Sequence, residues 1–364
     1  MASRVVLHIG PRKTATTYLQ RALQILVQSG RLDRSIYPIE TRGRVDHNQV
    51  PGLIDLARAS GGIGLQPDAW THQDGTDANS LMTAVTAASE DVILSAEALS
   101  VLTDDGAAAV IEALQPTPVD VVITARDLAR ILPSSWQQHM RNGNYEAYAD
   151  YLRLRAEERE SGRHREELRR GFWRAYRYGE LVRRWRSAGA RSVAVVTVPA
   201  QGGGAHLVWQ RFTAAVAVPA LPAEPPDVPE DKANVSLTGA ESFAIYGLNL
   251  AARASGEGRR NVRAMHRALI RRGWTDRPDR GGRLGLPADV MPEVSQWAQE
   301  DVADLAATGV TVYGDLADLS VSPEGPDGVP GAESVAAAAG SAAYLLGKRR
   351  GEIPSADEDS DDED

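Results

Sequence analysis

The chain has 364 residues, 40 Lys and Arg against 49 Asp and Glu, a formal charge of −9, and 43% hydrophobic residues. Such a length and apolar content build a substantial core, which excludes a wholly disordered chain, and the lack of cysteine excludes disulfides and thiolate metal sites. Eight of the carboxylates fall in residues 351–364, which hold no base; taking them from the 49 leaves 41 acids against 40 bases over residues 1–350. The body is therefore near neutral, and charge argues neither for a nucleic-acid binder nor for a polybasic membrane protein.

Residues 4–9 (RVVLHI) form a short β-branched run that stops at Gly10, and residues 16–28 carry Leu19, Leu23, Leu26 and Val27 at helical spacing. Further apolar runs at 91–95, 119–124 and 192–198 read as buried strands. Helices are expected at 107–114, 128–140, 147–170, 172–188, 237–254 and 291–307. Buried strands alternating with helices predict an α/β fold, a parallel sheet covered by helices on both faces, with a helix-rich C-terminal part. The five prolines between 218 and 229 mark a loop or linker. Beyond Leu319 the composition turns to Gly, Pro, Ala, Ser and acid, so one domain over 1–319 and a disordered acidic tail over 320–364 are expected. The apolar run in residues 1–10 falls short of a signal-peptide core, and the small-residue stretch 335–347 falls short of a membrane span. A cytoplasmic protein with no membrane span is expected.

Only three lysines occur, and one of them, Lys13, stands in the loop between the first strand and the first helix: Gly10-Pro11-Arg12-Lys13-Thr14-Ala15-Thr16-Thr17. A strand that turns sharply into a helix aims backbone N–H groups and the positive end of the helix dipole at one point, which suits a phosphate or sulfate. The same residues also read as an ordinary capped helix start, with Thr14 or Thr16 as the cap. The loop has the length of a GxxxxGK[ST] phosphate loop, but its lysine stands three residues too early to reach β/γ-phosphates in the usual way. That counts against a nucleotide-dependent kinase or ATPase.

The run Lys13-Thr14-Ala15-Thr16-Thr17-Tyr18 resembles the 5′-phosphosulfate loop of the sulfotransferase family, with Ala15 where a glycine is usual. A second segment resembles the family's 3′-phosphate motif: the strand 119–124, then Arg126, then Ser134 eight residues later on a helix. The resemblance implies a P-loop-like fold of the bacterial small-molecule type. It implies 3′-phosphoadenosine 5′-phosphosulfate (PAPS) as co-substrate, bound by Arg12, Lys13, Thr14, Ala15, Thr16, Thr17, Tyr18, Arg126 and Ser134. Alanine at position 15 asks for a backbone without positive φ there. Arg126 alone also reads as an ordinary ion-paired surface residue.

Transfer to a hydroxyl requires a base near the sulfuryl group, and Glu97, just past the strand 91–95, is the choice by position. Burial would have to raise its pKa; a helix-capping glutamate is the structural alternative. His47 is the runner-up, His8 reads as packed inside its strand, and no spacing of histidines implies a metal. Lys13 would stabilise the leaving phosphate. The arginine-rich stretch 153–191 reads mainly as solvated helix faces. Together these readings imply a PAPS-dependent sulfotransferase acting on a small-molecule, natural-product or carbohydrate hydroxyl, without nucleic-acid partners. A homodimer stays open, as do two alternatives: a P-loop kinase, and a non-catalytic nucleotide or anion-binding module.

Overall fold

The computed structural model describes residues 2–38, 53, 76–165, 171–200, 204–229, 236–323 and 328–350. In chain order it contains β1 (Val5–His8), α1 (Thr16–Gln28), α2 (Thr76–Ala87), β2 (Val92–Ser95), α3 (Asp104–Ala113), β3 (Val119–Ala125), α4 (Leu128–Arg141), α5 (Tyr148–Ser161), α6 (Phe172–Tyr176) and α7 (Tyr178–Ser187). It continues with β4 (Ser192–Thr197), α8 (Gly204–Val216), α9 (Gly239–Ala254), α10 (Arg259–Arg271), α11 (Met291–Ala307), β5 (Thr311–Tyr313) and α12 (Ala332–Arg350). A short 3₁₀ turn, Glu97–Val101, follows β2.

The chain folds as two compact units. The first comprises residues 1–128, 155–228 and 294–321, the second 129–154, 229–293 and 322–364. A single domain over 1–319 was expected. The segments of the second unit bury a core of their own. There Trp136 packs against Tyr148 and Phe243 at ring-centroid distances of 4.8 and 5.2 Å, and Asn249 ties together the Met140 and Asn144 carbonyls and the His266 ring.

The first unit holds an all-parallel five-stranded sheet in the order β2-β1-β3-β4-β5. Every residue of β1, β2 and β3 is buried. Because side chains alternate across a strand, burial of all of them requires helices on both faces. Val6, Ile93, Val122 and Val196 face the stripe Leu19, Leu23 and Leu26 of α1, with Trp209 and Phe212 of α8 in the same cluster. The proline-rich segment is a loop, held on this core by Val218, Leu221 and Val228 and by the Trp209 indole, which donates to the Pro222 carbonyl. At the sheet's amino end, Asp120 accepts hydrogen bonds from Arg4, Arg191 and Ser192. Burial would raise its pKa, but these bonds outweigh it and hold the carboxyl at about 2.

The predicted strands fall within a residue or two of those observed. β5 was not predicted, because three residues are too few to show a period. The expected helix 172–188 is two helices that meet at Arg177. The expected helix 147–170 ends at Ser161 and is followed by a 3₁₀ turn, Arg163–Arg165. Helices α2, α8 and α10 were not anticipated. Nor was α12, which replaces the disordered tail over 332–350: its alanines favour helix, Ala338 and Ala342 are buried, and the Trp274 indole donates to the Ala338 carbonyl. Of the rest of that expected tail, residues 324–327 and 351–364 lie outside the described residues. Among the described residues no helix is long and apolar enough to cross a membrane.

Candidate functional site

In a sheet of order 2-1-3-4-5 the chain leaves β1 toward one side and returns at β3 on the other, opening a crevice at their carboxyl ends. The loop 10–17 leaves β1 at that crevice, and Arg126 follows directly on β3. One Arg126 Nη donates to the Lys13 carbonyl at 3.0 Å, so the two sequence motifs meet at one place. The end of β4 is closed by protein alone: Arg211 and Thr197 are both bonded to Asp318.

The loop is shaped from within. Lys13 and Ala15 both have left-handed backbones, at φ 69° and 70°, while Thr14 between them does not. Alternation of this kind turns successive N–H groups toward a common point, the concavity that binds anions. The expectation that Ala15 would avoid positive φ is thus corrected: the turn into α1 demands the left-handed conformation, and alanine adopts it at a cost of roughly 1–2 kcal/mol. Ala15 is also the N-cap of α1 and has no side chain to cap it.

Thr14 and Thr16 are buried and point inward. Their hydroxyls donate to the carbonyls of Pro11 (2.6 Å) and Gly10 (3.1 Å). They hold the loop's curvature, while Thr17 is exposed. Tyr18 packs its ring against the core cluster, and its buried hydroxyl meets no hydrogen-bond partner among the described residues.

Beneath the loop runs a relay of hydrogen bonds whose direction can be deduced. Because Thr14 gives its only hydroxyl proton to Pro11, Thr124 must donate to Thr14 at 2.7 Å. Thr124 then accepts from His8 Nε2 (3.2 Å), Ser95 donates to His8 Nδ1 (2.9 Å), and Gln20 donates to Ser95 (3.1 Å). The relay ties β2, β1, β3 and α1 to the loop and needs a neutral His8. Burial supplies that, lowering its pKa to about 3.

A pH dependence follows. Between pH 6.5 and about 3 the unfolded chain protonates residue 8 while the folded chain does not, so stability is full above pH 6.5 and declines as pH falls through that window. Urea titrations at pH 8 and pH 5 are expected to show wild type losing about 2 kcal/mol more than His8→Gln. Equal losses would mean that His8 is charged in the fold.

Glu97 begins the 3₁₀ turn after β2, and Arg12 of the neighbouring loop pairs with it at 3.1 Å. Its side chain is 25% exposed. The burial asked of a base at this position is only partial, and the loop brings a guanidinium to the carboxylate. Ser134 lies half-buried on α4, within the second unit. His47 lies outside the described residues.

Sequence reading missed the support behind these groups. The Arg174 guanidinium donates to the Val101 carbonyl at the end of the Glu97 turn (2.9 Å), and the Tyr176 hydroxyl donates to the Arg12 carbonyl (2.8 Å). The Tyr178 hydroxyl both accepts from the Arg126 N–H and donates to its carbonyl, each at 3.0 Å. One stretch of five residues thereby fastens all three arms of the site. The arginine-rich segment is correspondingly less solvated than expected. Arg174 and Arg184 are buried, and Arg159 forks onto Asp301 between the rings of Trp173 and Trp297. The alternating Arg174, Tyr176 and Tyr178 were visible in the sequence, but not their partners, which lie 52 to 164 residues away.

Comparison with protein-family models, with curated proteins and with solved structures yields no match.

Proposed function

We propose that the chain is a sulfotransferase of P-loop-like fold that moves a sulfuryl group from PAPS to a hydroxyl of a small molecule. The observation that carries this reading is the junction at the β1/β3 crevice. A concave, lysine-bearing loop and an arginine at the next strand end are joined at 3.0 Å, with a carboxylate, Glu97, one strand away. Two cationic anchors suit a donor phosphorylated at both ends of its ribose better than they suit ATP, which has no 3′-phosphate. Support for a phosphate in the loop comes from its left-handed residues and from the uncapped start of α1.

The donor supplies the activated sulfur. The chain's residues do the rest. Loop amides, Thr17 and Lys13 hold the 5′-phosphate, and Lys13 offsets the charge that grows as its bond to sulfur breaks. Arg126 takes the 3′-phosphate; Ser134 is assigned to it by sequence spacing alone. Glu97 accepts the acceptor's hydroxyl proton as the new S–O bond forms, giving a sulfate ester and adenosine 3′,5′-bisphosphate. Arg12 orients the Glu97 carboxylate, and Tyr176 holds the Arg12 backbone in place.

The Arg12–Glu97 pair also favours a second reading, a nucleotide-binding module without transfer, because it gives Glu97 a purely structural occupation. Glu97→Gln separates the two. Sulfation, followed by mass spectrometry of the product, is expected to fall about 100-fold or more, with calorimetric affinity for adenosine 3′,5′-bisphosphate within about twofold of wild type, about 0.4 kcal/mol. Unchanged turnover removes Glu97 from the base role. Tight ATP binding with no bisphosphate binding overturns the reading as a whole.

A further inference from the structure

In the second unit, α10 (Arg259–Arg271) buries Val262, His266, Leu269 and Ile270 and turns the opposite face to solvent. That face carries Arg259, Arg260, Arg263, Arg267, Arg271 and the following Arg272, all exposed. No acid occurs between 259 and 272, and among the described residues none of these six side chains makes a hydrogen bond or ion pair. Glu257, the acid just before the helix, accepts from Asn261.

This arrangement works against its own helix. Arg259, Arg263, Arg267 and Arg271 repeat every fourth residue, so each stands one turn above a like charge. Arg259 and Arg260 also occupy the positive end of the helix dipole, where Gly258 offers no side-chain cap. An amphipathic helix needs a polar outer face, but not one of a single sign. The cost is relieved when an anionic chain lies along the stripe.

We infer that the stripe is the docking surface for the chain's own acidic segment, residues 351–364. Seven of the eight residues 357–364 are Asp or Glu, and the segment holds no base. It follows directly on α12, which belongs to the same unit and packs against α9 and α10. Its fourteen residues reach up to about 48 Å, whereas α10 is about 20 Å long, so the tether imposes no geometric limit. Tethering also sets an effective concentration in the millimolar range. A nucleic acid, the other polyanion that would fit, has no such advantage and must approach a chain whose acidic segment repels it.

The absence of cysteine permits a direct test. Ser360→Cys in the full chain gives a single attachment point for a nitroxide, whose proximity broadens nearby amide signals in NMR spectra. At about 25 mM salt the amides of α10 are expected to lose more than half their intensity and to recover it at about 0.5 M salt, where exposed charges are screened. The quadruple variant Arg259→Gln, Arg263→Gln, Arg267→Gln, Arg271→Gln should show no such loss while keeping its circular dichroism; salt reversal in the unsubstituted helix gives the same answer should that variant fold poorly. Intact α10 signals at low salt overturn the proposal. So does a single-stranded oligonucleotide that binds equally well with residues 357–364 acidic or neutralised to Asn and Gln, since the face then belongs to nucleic acid.

Discussion

Lys13→Ala is expected to lower sulfuryl transfer by about 10²–10³-fold, the loss of one charged group aimed at a developing anion. The backbone argument makes the substitution clean. Lys13 has φ 69°, and alanine bears the same left-handed strain as lysine, so loop geometry is not the variable. Lys13→Gly relieves that strain yet also removes the charge, and should be as inactive as the alanine variant. Lys13→Arg keeps a cation and should retain a measurable part of the rate. Release of adenosine 3′,5′-bisphosphate in the presence of a panel of hydroxyl acceptors measures all three without naming the acceptor in advance. Activity of Lys13→Ala within a few-fold of wild type would show that the loop binds its anion through amides alone.

Gly10→Ala is the second large effect, and it acts through packing. A Cβ at position 10 would lie 1.7 Å from Thr124 Oγ1 and 2.9 Å from His8 Nε2. Both atoms belong to the relay under the loop, and both are buried on rigid strands, so neither can swing away. Overpacking of this kind costs about 3 kcal/mol or more, a drop of about 6–12 °C in Tm. It should also abolish nucleotide binding, because displacing Thr124 releases Thr14 and with it the curvature of the loop. Gly10→Ala combined with Thr124→Ala removes the nearest atom and should recover part of the stability, so the two changes are not additive. Differential scanning calorimetry of the four proteins in that cycle tests it. Additive losses would place the clash elsewhere.

Lys13 and Gly10 belong to the part of the site most legible in the amino-acid sequence. The Gly10 turn, the lysine, and an arginine at a later strand end are local signals, each contained in fewer than twenty residues. What they could not convey was which hydroxyls turn inward and which stay exposed. Thr14, Thr16 and Thr17 are chemically alike, and only the folded loop turns two of them inward onto the Pro11 and Gly10 carbonyls and leaves the third exposed. Glu97 shows the same division. Its place after β2 was predictable from strand order, but its ion pair with Arg12 depends on two loops brought side by side by a sheet.

The amino-acid sequence by itself determined the α/β class, four of the five strands and the place of the first loop between β1 and α1, because apolar periodicity and turn chemistry act over short stretches. Tertiary structure alone decided the division into two units, the helix over 332–350 and the support of the site by Arg174, Tyr176 and Tyr178. Each of these rests on contacts between residues far apart in the chain. A buried tyrosine hydroxyl seeks whichever carbonyl the fold presents, and nothing in its own neighbourhood names that carbonyl.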